Sequence, residues 1–275
     1  MRFSVGVLGL SALLVAGCGA AGGADGGSDS AAAAAAVARA AEKAERTVSL
    51  RYTMTGRTPE EGRVRAEAAI STEPAAMSLE STVLGGPDQG TGEFRLVDGA
   101  LYMGSDEANE DGKHWIRIGA PGISDTPSGV EIDSSAAGDR FRDNPSHESG
   151  FLGAADDLKE SGTETVDGVR TTHYTGTATL DGIRDFYEDE PKKVRQRTEK
   201  SLAQYEKLGV DELTLDLWTD AEDRTRKMRV QGFGRHGELD LTFAFADFGK
   251  PVTVKAPPAS DTFDMSEAMR KAKED

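Results

Sequence analysis

The sequence predicts an α+β protein: one large curved antiparallel β-sheet, an unclosed half-barrel of about ten or eleven strands, wrapped around two or three helices. Three observations carry that expectation. Apolar residues recur at every second position in run after run between Val48 and Phe245, the period of a strand with one buried face. Asp98-Gly99, Asp111-Gly112 and Asp167-Gly168 adjoin such runs, and Asp-Gly suits the two positive φ angles of a type I′ hairpin turn. No alternation of single strands with helices marks a parallel sheet, and no fixed-period repeat occurs.

The elements follow in chain order. Residues 31 to 46 are Ala-rich with charges near the end, and Asp29 or Ser30 can cap them, so a first helix is expected with Val37, Ala41, Ala44 and Val48 on its apolar edge. Strands are then read at Val48, Leu50, Tyr52 and Met54; at Val64, Ala66, Ala68 and Ile70; at Met77, Leu79 and Val83; and at Phe94 and Leu96. A hairpin at Asp98-Gly99 leads to Leu101-Tyr102-Met103, and His114 to Ile118 follow Asp111-Gly112. Residues 119 to 149 contain Pro121, Pro127 and Pro145 without a usable period and read as one long loop. Phe151, Leu152, Ala155 and Leu158 mark a short amphipathic helix. Two strands flank Asp167-Gly168, and Lys192 to Leu208 mark a longer helix with Val194, Leu202, Tyr205 and Leu208 on one side and Gly209 as its stop. Strands return at 213–218, around Met228 and Val230, and from Leu239 to Phe245, with a last edge strand expected at Val252 and Val254.

Width now bears on function. Ten strands at about 4.8 Å spacing make a sheet near 48 Å wide, while a helix is about 10 Å across. Two or three helices leave part of so wide an apolar face uncovered, and twist curls that face into a groove or cavity. Leu50, Tyr52, Met54, Ile70, Met77, Leu79, Leu215, Met228, Phe243 and Phe245 share the inward phase of their strands and are the candidate lining. The flexible thioethers of Met suit a wall that meets varied apolar ligands.

The first residues state a location. After Met1-Arg2, Phe3 to Val15 are mostly apolar and uncharged, the size of a signal-peptide core and too short to cross about 30 Å of hydrocarbon. Val15-Ala16-Gly17-Cys18 resembles the lipobox of bacterial lipoproteins, which implies cleavage before Cys18, acylation of Cys18, and anchoring on the outer face of the cell membrane. The expected organisation is a leader at 1–17, a flexible tether at 18–30, one domain at 31–262 and a polar tail at 263–275.

Composition removes other classes. Lys and Arg number 32 against 48 Asp and Glu, a net charge of −16, so nucleic acid is not an expected partner. One Cys excludes an intramolecular disulfide framework. His114, His147, His173 and His236 stand singly, so no metal and no cofactor are expected. Gly232 to Gly237 fit G-x-G-x-x-G, but a strand follows where dinucleotide binding needs a helix, and the run reads as a hairpin. Glu107, Asn109, Asp111 and Gly112 match half a calcium loop, with Ile118 where the closing Glu should stand. No nucleophile elbow is present, and no enzyme is expected. Asp185, Glu188, Asp189 and Glu190 read as an acidic cap on the long helix. Lys192, Lys193, Arg195 and Arg197 read as its solvated start or as a site for an anionic head group, and Trp115 and Trp218 as packing anchors.

The order of parts, from lipobox and Ala-rich helix through Leu101-Tyr102-Met103, Lys113-His114-Trp115-Ile116 and Gly162 to Tyr174 to Leu217-Trp218-Thr219-Asp220, resembles the LolA/LolB-like lipoproteins. Within them it is similar to the actinobacterial lipid-carrier group of LppX/LprG type, across most of residues 31–260. That resemblance implies a hydrophobic cavity that carries acyl chains of a lipid, glycolipid or lipoglycan through the cell envelope. The alternative is an envelope sensor or scaffold that binds a protein partner through the same fold, its helices filling the interior.

Overall fold

A computed structural model of the protein describes residues 25–85, 89–109, 111–118, 144–265, 267–268 and 271. The leader, Cys18, most of the tether and residues 119–143 lie outside the described residues. Within them, twelve strands form a single sheet ordered β12-β6-β5-β4-β3-β2-β1-β11-β10-β9-β8-β7. In chain order these are β1 (Ser49–Thr58), β2 (Gly62–Thr72), β3 (Ala75–Leu84), β4 (Gly90–Val97), β5 (Ala100–Ser105), β6 (Trp115–Ile118), β7 (Lys159–Val166), β8 (Val169–Thr179), β9 (Glu212–Thr219), β10 (Thr225–Gly234), β11 (Gly237–Ala246) and β12 (Thr262–Asp264). The helices are α1 (Asp25–Glu45), α2 (Leu180–Phe186) and α3 (Lys192–Lys207), with a 3-10 helix at Pro145–Ala154. The outermost strands β7 and β12 do not pair with each other, so the sheet is unclosed, as expected.

Each hairpin follows from its turn chemistry. Asp98 and Gly99 have φ of 50° and 77°, and Asp167 and Gly168 have 49° and 78°; these mirror-image turns match the twist of the strands they join. The G-x-G-x-x-G run is the β10–β11 hairpin, with Gly234 opposite Gly237. Asn109 makes the half calcium loop a turn: its side-chain oxygen accepts from the amides of Asp111 (3.0 Å) and Lys113 (2.9 Å).

Several sequence expectations shift. Helix α1 begins at Asp25, inside the stretch read as tether and in spite of Gly26 and Gly27, which are poor helix formers. Val48 is 47% exposed and belongs to neither the helix edge nor β1. Residues 145–149, read as loop, start the 3-10 helix, with the Asn144 side chain capping Ser146 N–H at 3.0 Å. Helix α2 was not foreseen; Thr179 caps it by accepting from Gly182 N–H at 3.0 Å. The last strand is not at Val252 and Val254 but at Thr262–Asp264, where it runs parallel to β6. The acidic cluster does not cap α3, which starts after Pro191 with no side-chain cap and no acid in its first turn; Asp185 sits in α2.

The main core lies between the helices and strands β8 to β11 and β1. Ala33, Val37 and Ala40 of α1, Phe151 and Leu152 of the 3-10 helix, Ile183 of α2, and Leu202 and Tyr205 of α3 pack with Leu213, Leu215 and Leu217 of β9, Met228 and Val230 of β10, and Phe243 and Phe245 of β11. The small residues of α1 let its backbone approach closely. A second cluster, Ile70, Met77 and Leu96 with Tyr52, Leu79 and Phe94, belongs to the other half of the sheet. Tyr52 touches both clusters and joins them.

Candidate functional site

Helix α3 divides the interior. Its C-terminal end is tied to the β10–β11 hairpin, where Arg235 N–H donates to Leu208 C=O at 3.2 Å, and its N-terminal half lies beside Thr72 and Ala75 at the β2–β3 turn. Between α3 and the sheet lies a cavity of about 920 Å³. Its apolar wall is Met54 of β1, Leu239, Leu241 and Phe243 of β11, Phe151 of the 3-10 helix and Leu208; Arg197, Lys200 and Lys207 of α3 and Glu60 and Glu61 of the β1–β2 turn add charge.

Gly56 faces Leu241 across the β1–β11 ladder with φ of +152°, and a Cβ there would stand 1.9 Å from the Asp240 carbonyl oxygen. Glycine is thus required by both backbone and space, where β11 passes close to β1.

Of the ten residues read as lining, Met54 and Phe243 border this cavity. Leu50, Leu215, Met228 and Phe245 are buried in the main core, and Ile70, Met77 and Leu79 belong to the second cluster. Tyr52 packs against Phe243 and Phe245 with ring centroids 6.1 Å from each, and burial pushes its hydroxyl pKa up to about 12. Period-two patterning finds the inward phase but not which inward residues the helices cover, so it could not separate wall from core.

Two further cavities adjoin the first. One of about 570 Å³ lies between α1, the 3-10 helix and the end of α2, lined largely by Ala34, Val37, Ala38, Ala41, Phe186 and Val194. The other, about 820 Å³, is walled by Lys192, Lys193, Arg195, Arg197 and Lys200 of α3 with Thr72 and Ala75. His147 borders all three, although no pattern around it sets it apart from the other histidines. Burial, and then the Arg197 charge, lower its pKa to about 4. Its Nδ1 is buried with no hydrogen-bond partner among the described residues.

Polar ties hold the walls. Arg197 forks onto the Glu45 carboxylate of α1, with one hydrogen bond of 3.2 Å. Arg184 of α2 bonds Glu199 (3.0 Å) and Glu206 (2.8 Å) of α3. The Tyr205 hydroxyl donates to Glu148 at 2.7 Å, and burial together with that carboxylate raises its pKa. The two tryptophans pack on the sheet away from these cavities: Trp218 lies between the His173 ring (4.2 Å) and the Lys227 ammonium (4.0 Å), and Trp115 under Arg95 (4.5 Å). Among the described residues no group of His, Cys, Asp and Glu could hold a metal ion, and no helix is long and apolar enough to cross a membrane.

Comparison with known proteins gives relatives in the same sequence range. The chain is 32% identical over 171 residues to an uncharacterized 31.2 kDa protein of Streptomyces griseus, covering 59% of this chain and 52% of that one. It is 28% identical over 181 residues to the Streptomyces coelicolor protein named "Putative lipoprotein SCO4650", covering 64% and 52%. The chain thus spans about half the length of the curated relatives it matches. No family model matches. Among solved structures it is similar to lipoprotein LppX of Mycobacterium tuberculosis (TM-score 0.47, 14% identity, 82% of this chain and 99% of that one). It is also similar to LprF from Mycobacterium bovis (TM-score 0.49, 13% identity, 84% and 99%).

Proposed function

We propose that this protein is an extracytoplasmic lipoprotein, anchored through acylated Cys18 to the outer face of the cell membrane, that holds acyl chains of a lipid, glycolipid or lipoglycan for transport or chaperoning in the envelope. The observation that carries the reading is the cavity of about 920 Å³ between α3 and strands β1 and β11, with its Met54, Leu239, Leu241 and Phe243 wall. Its size lies within the roughly 300 to 1,000 Å³ of ligand sites. Burying a methylene gains about 0.8 kcal/mol, so a sixteen-carbon tail supplies roughly 12 kcal/mol gross. Half of that still offsets part of the ordering cost of binding. The mechanism is transfer from water to an apolar wall and needs no reacting group.

Native mass spectrometry of a soluble form lacking residues 1 to 18, purified gently, tests the reading. Co-purified lipid mass supports it. A form that is empty, and that also fails to take up a fluorescent fatty acid, refutes it and leaves the sensor or scaffold function, in which a protein partner binds the same fold.

A further inference from the structure

An acidic chain of net charge −16 gathers five cations, Lys192, Lys193, Arg195, Arg197 and Lys200, around one cavity of about 820 Å³, with Glu199 the single acid in its wall. The placement is electrostatically adverse for the helix itself. A helix N-terminus carries partial positive charge and favours acids, yet α3 opens without a side-chain cap or an acid in its first turn. Among the described residues Arg197 is answered by Glu45, and Arg195 reaches only the Glu188 carbonyl at 3.4 Å. No described carboxylate forms an ion pair with Lys192 or Lys193. Amide dipole and ammonium groups therefore add in one space, while Glu188, Asp189 and Glu190, which precede Pro191, are not part of its wall. That space adjoins the cavity under α3, since Arg197, Lys200 and His147 border both. His147 also borders the third, apolar cavity along α1 and offers a ring nitrogen without a partner among the described residues.

We propose that the carried lipid has an anionic phosphate head group, held in the cation-walled cavity at the start of α3, with its acyl chains entering the two cavities that meet that one at His147. The inference rests on the acyl-chain reading above and adds the chemistry of the head. The phosphate oxygens take charge-assisted hydrogen bonds from the lysines and supply the negative charge that the first turn of α3 lacks.

The test offers the full chain in mild detergent an equimolar mixture of phosphatidic acid and diacylglycerol with the same acyl chains, and reads the retained ratio by native mass spectrometry. The unaltered protein should favour the phosphate lipid by about tenfold or more, and K192Q/K193Q should reduce that ratio by roughly tenfold. The charge-matched control K43Q/K159Q should keep it. Equal retention by the unaltered protein, or a preference that survives K192Q/K193Q, overturns the proposal. Folding loss is not expected, since removing cations from a helix N-terminus favours the helix; a far-ultraviolet circular dichroism spectrum checks it. A second arm titrates inorganic phosphate and follows its phosphorus NMR line width. If neither lipid is retained, the acyl-chain reading fails. Broadening that K192Q/K193Q abolishes then supports the anion site alone, and its absence or its persistence in the variant overturns that site too.

Discussion

Acidification should destabilise this protein through His147 in a way that one substitution isolates. The ring borders three cavities, and burial, reinforced by the Arg197 charge against the opposing pull of Glu45, lowers its pKa from 6.5 to about 4. A depressed histidine pKa means that between those two values the unfolded chain binds more protons than the folded one. Stability is therefore full above the unfolded value and is lost as pH falls through the window. At about 1.4 kcal/mol per pH unit, the lowering from 6.5 to about 4 sets an upper bound of about 3.5 kcal/mol on the loss. Partial solvent access to the ring reduces the expected drop to about 1.5 kcal/mol. Urea unfolding of the unaltered protein and of His147→Gln, at several pH values between about 7 and about 4, measures it. The carboxylates that titrate over the same range, such as Asp240 held low by Arg229, are common to both and cancel in the difference. The stability difference should move in favour of His147→Gln as pH falls. A difference that stays constant with pH would refute the assignment of a buried, neutral imidazole.

Two other perturbations probe the frame and the cavity. Asp220 has a side chain only 1% exposed and accepts from the amides of Glu222 (3.1 Å) and Arg224 (3.0 Å) and from Arg224 Nε (2.8 Å). Asp220→Ala strands all three donors in the β9–β10 turn and should cost about 3 kcal/mol in a thermal or urea melt. Leu241 is half-buried on the wall of the cavity under α3. Leu241→Trp should reduce fluorescent fatty-acid uptake several-fold while changing stability by less than about 1.5 kcal/mol, and undiminished uptake would place the ligand elsewhere.

The contrast between what the residues foretold and what they concealed has a physical pattern. Alternation in Leu50 to Met54, Val64 to Ile70 and Leu213 to Leu217 shows which side of a strand turns inward, because a one-residue slip would expose the whole apolar set. Asp98-Gly99 and Asp167-Gly168 fix register because few other residue pairs take two positive φ angles at low cost. Leu180 to Phe186 gave no comparable signal, since a seven-residue helix shows less than two turns of its period. The wall of the cavity was legible only in part. Met54 and Leu50 carry the same pattern, yet one borders open volume and the other is sealed under the helices; the difference is set by where α3 and the 3-10 helix lie. His147 was illegible for the same reason, being one of four isolated histidines until the fold gathered three cavities around it.

The three-residue strand β12 does more than extend the sheet. Strand β6 would otherwise present bare amides and carbonyls to any passing chain, and a long unguarded rim invites other polypeptides to stack onto it. The returning C-terminal segment hems that rim: Asp261 receives the His114 amide at 3.0 Å, Lys113 reaches the Ser260 carbonyl at 2.5 Å, and Arg117 grips Asp264 at 2.5 Å. On the opposite margin β7 bears the exposed charges of Lys159, Glu160 and Glu164. With one margin covered and the other charged, so broad a sheet offers further chains little to stack upon.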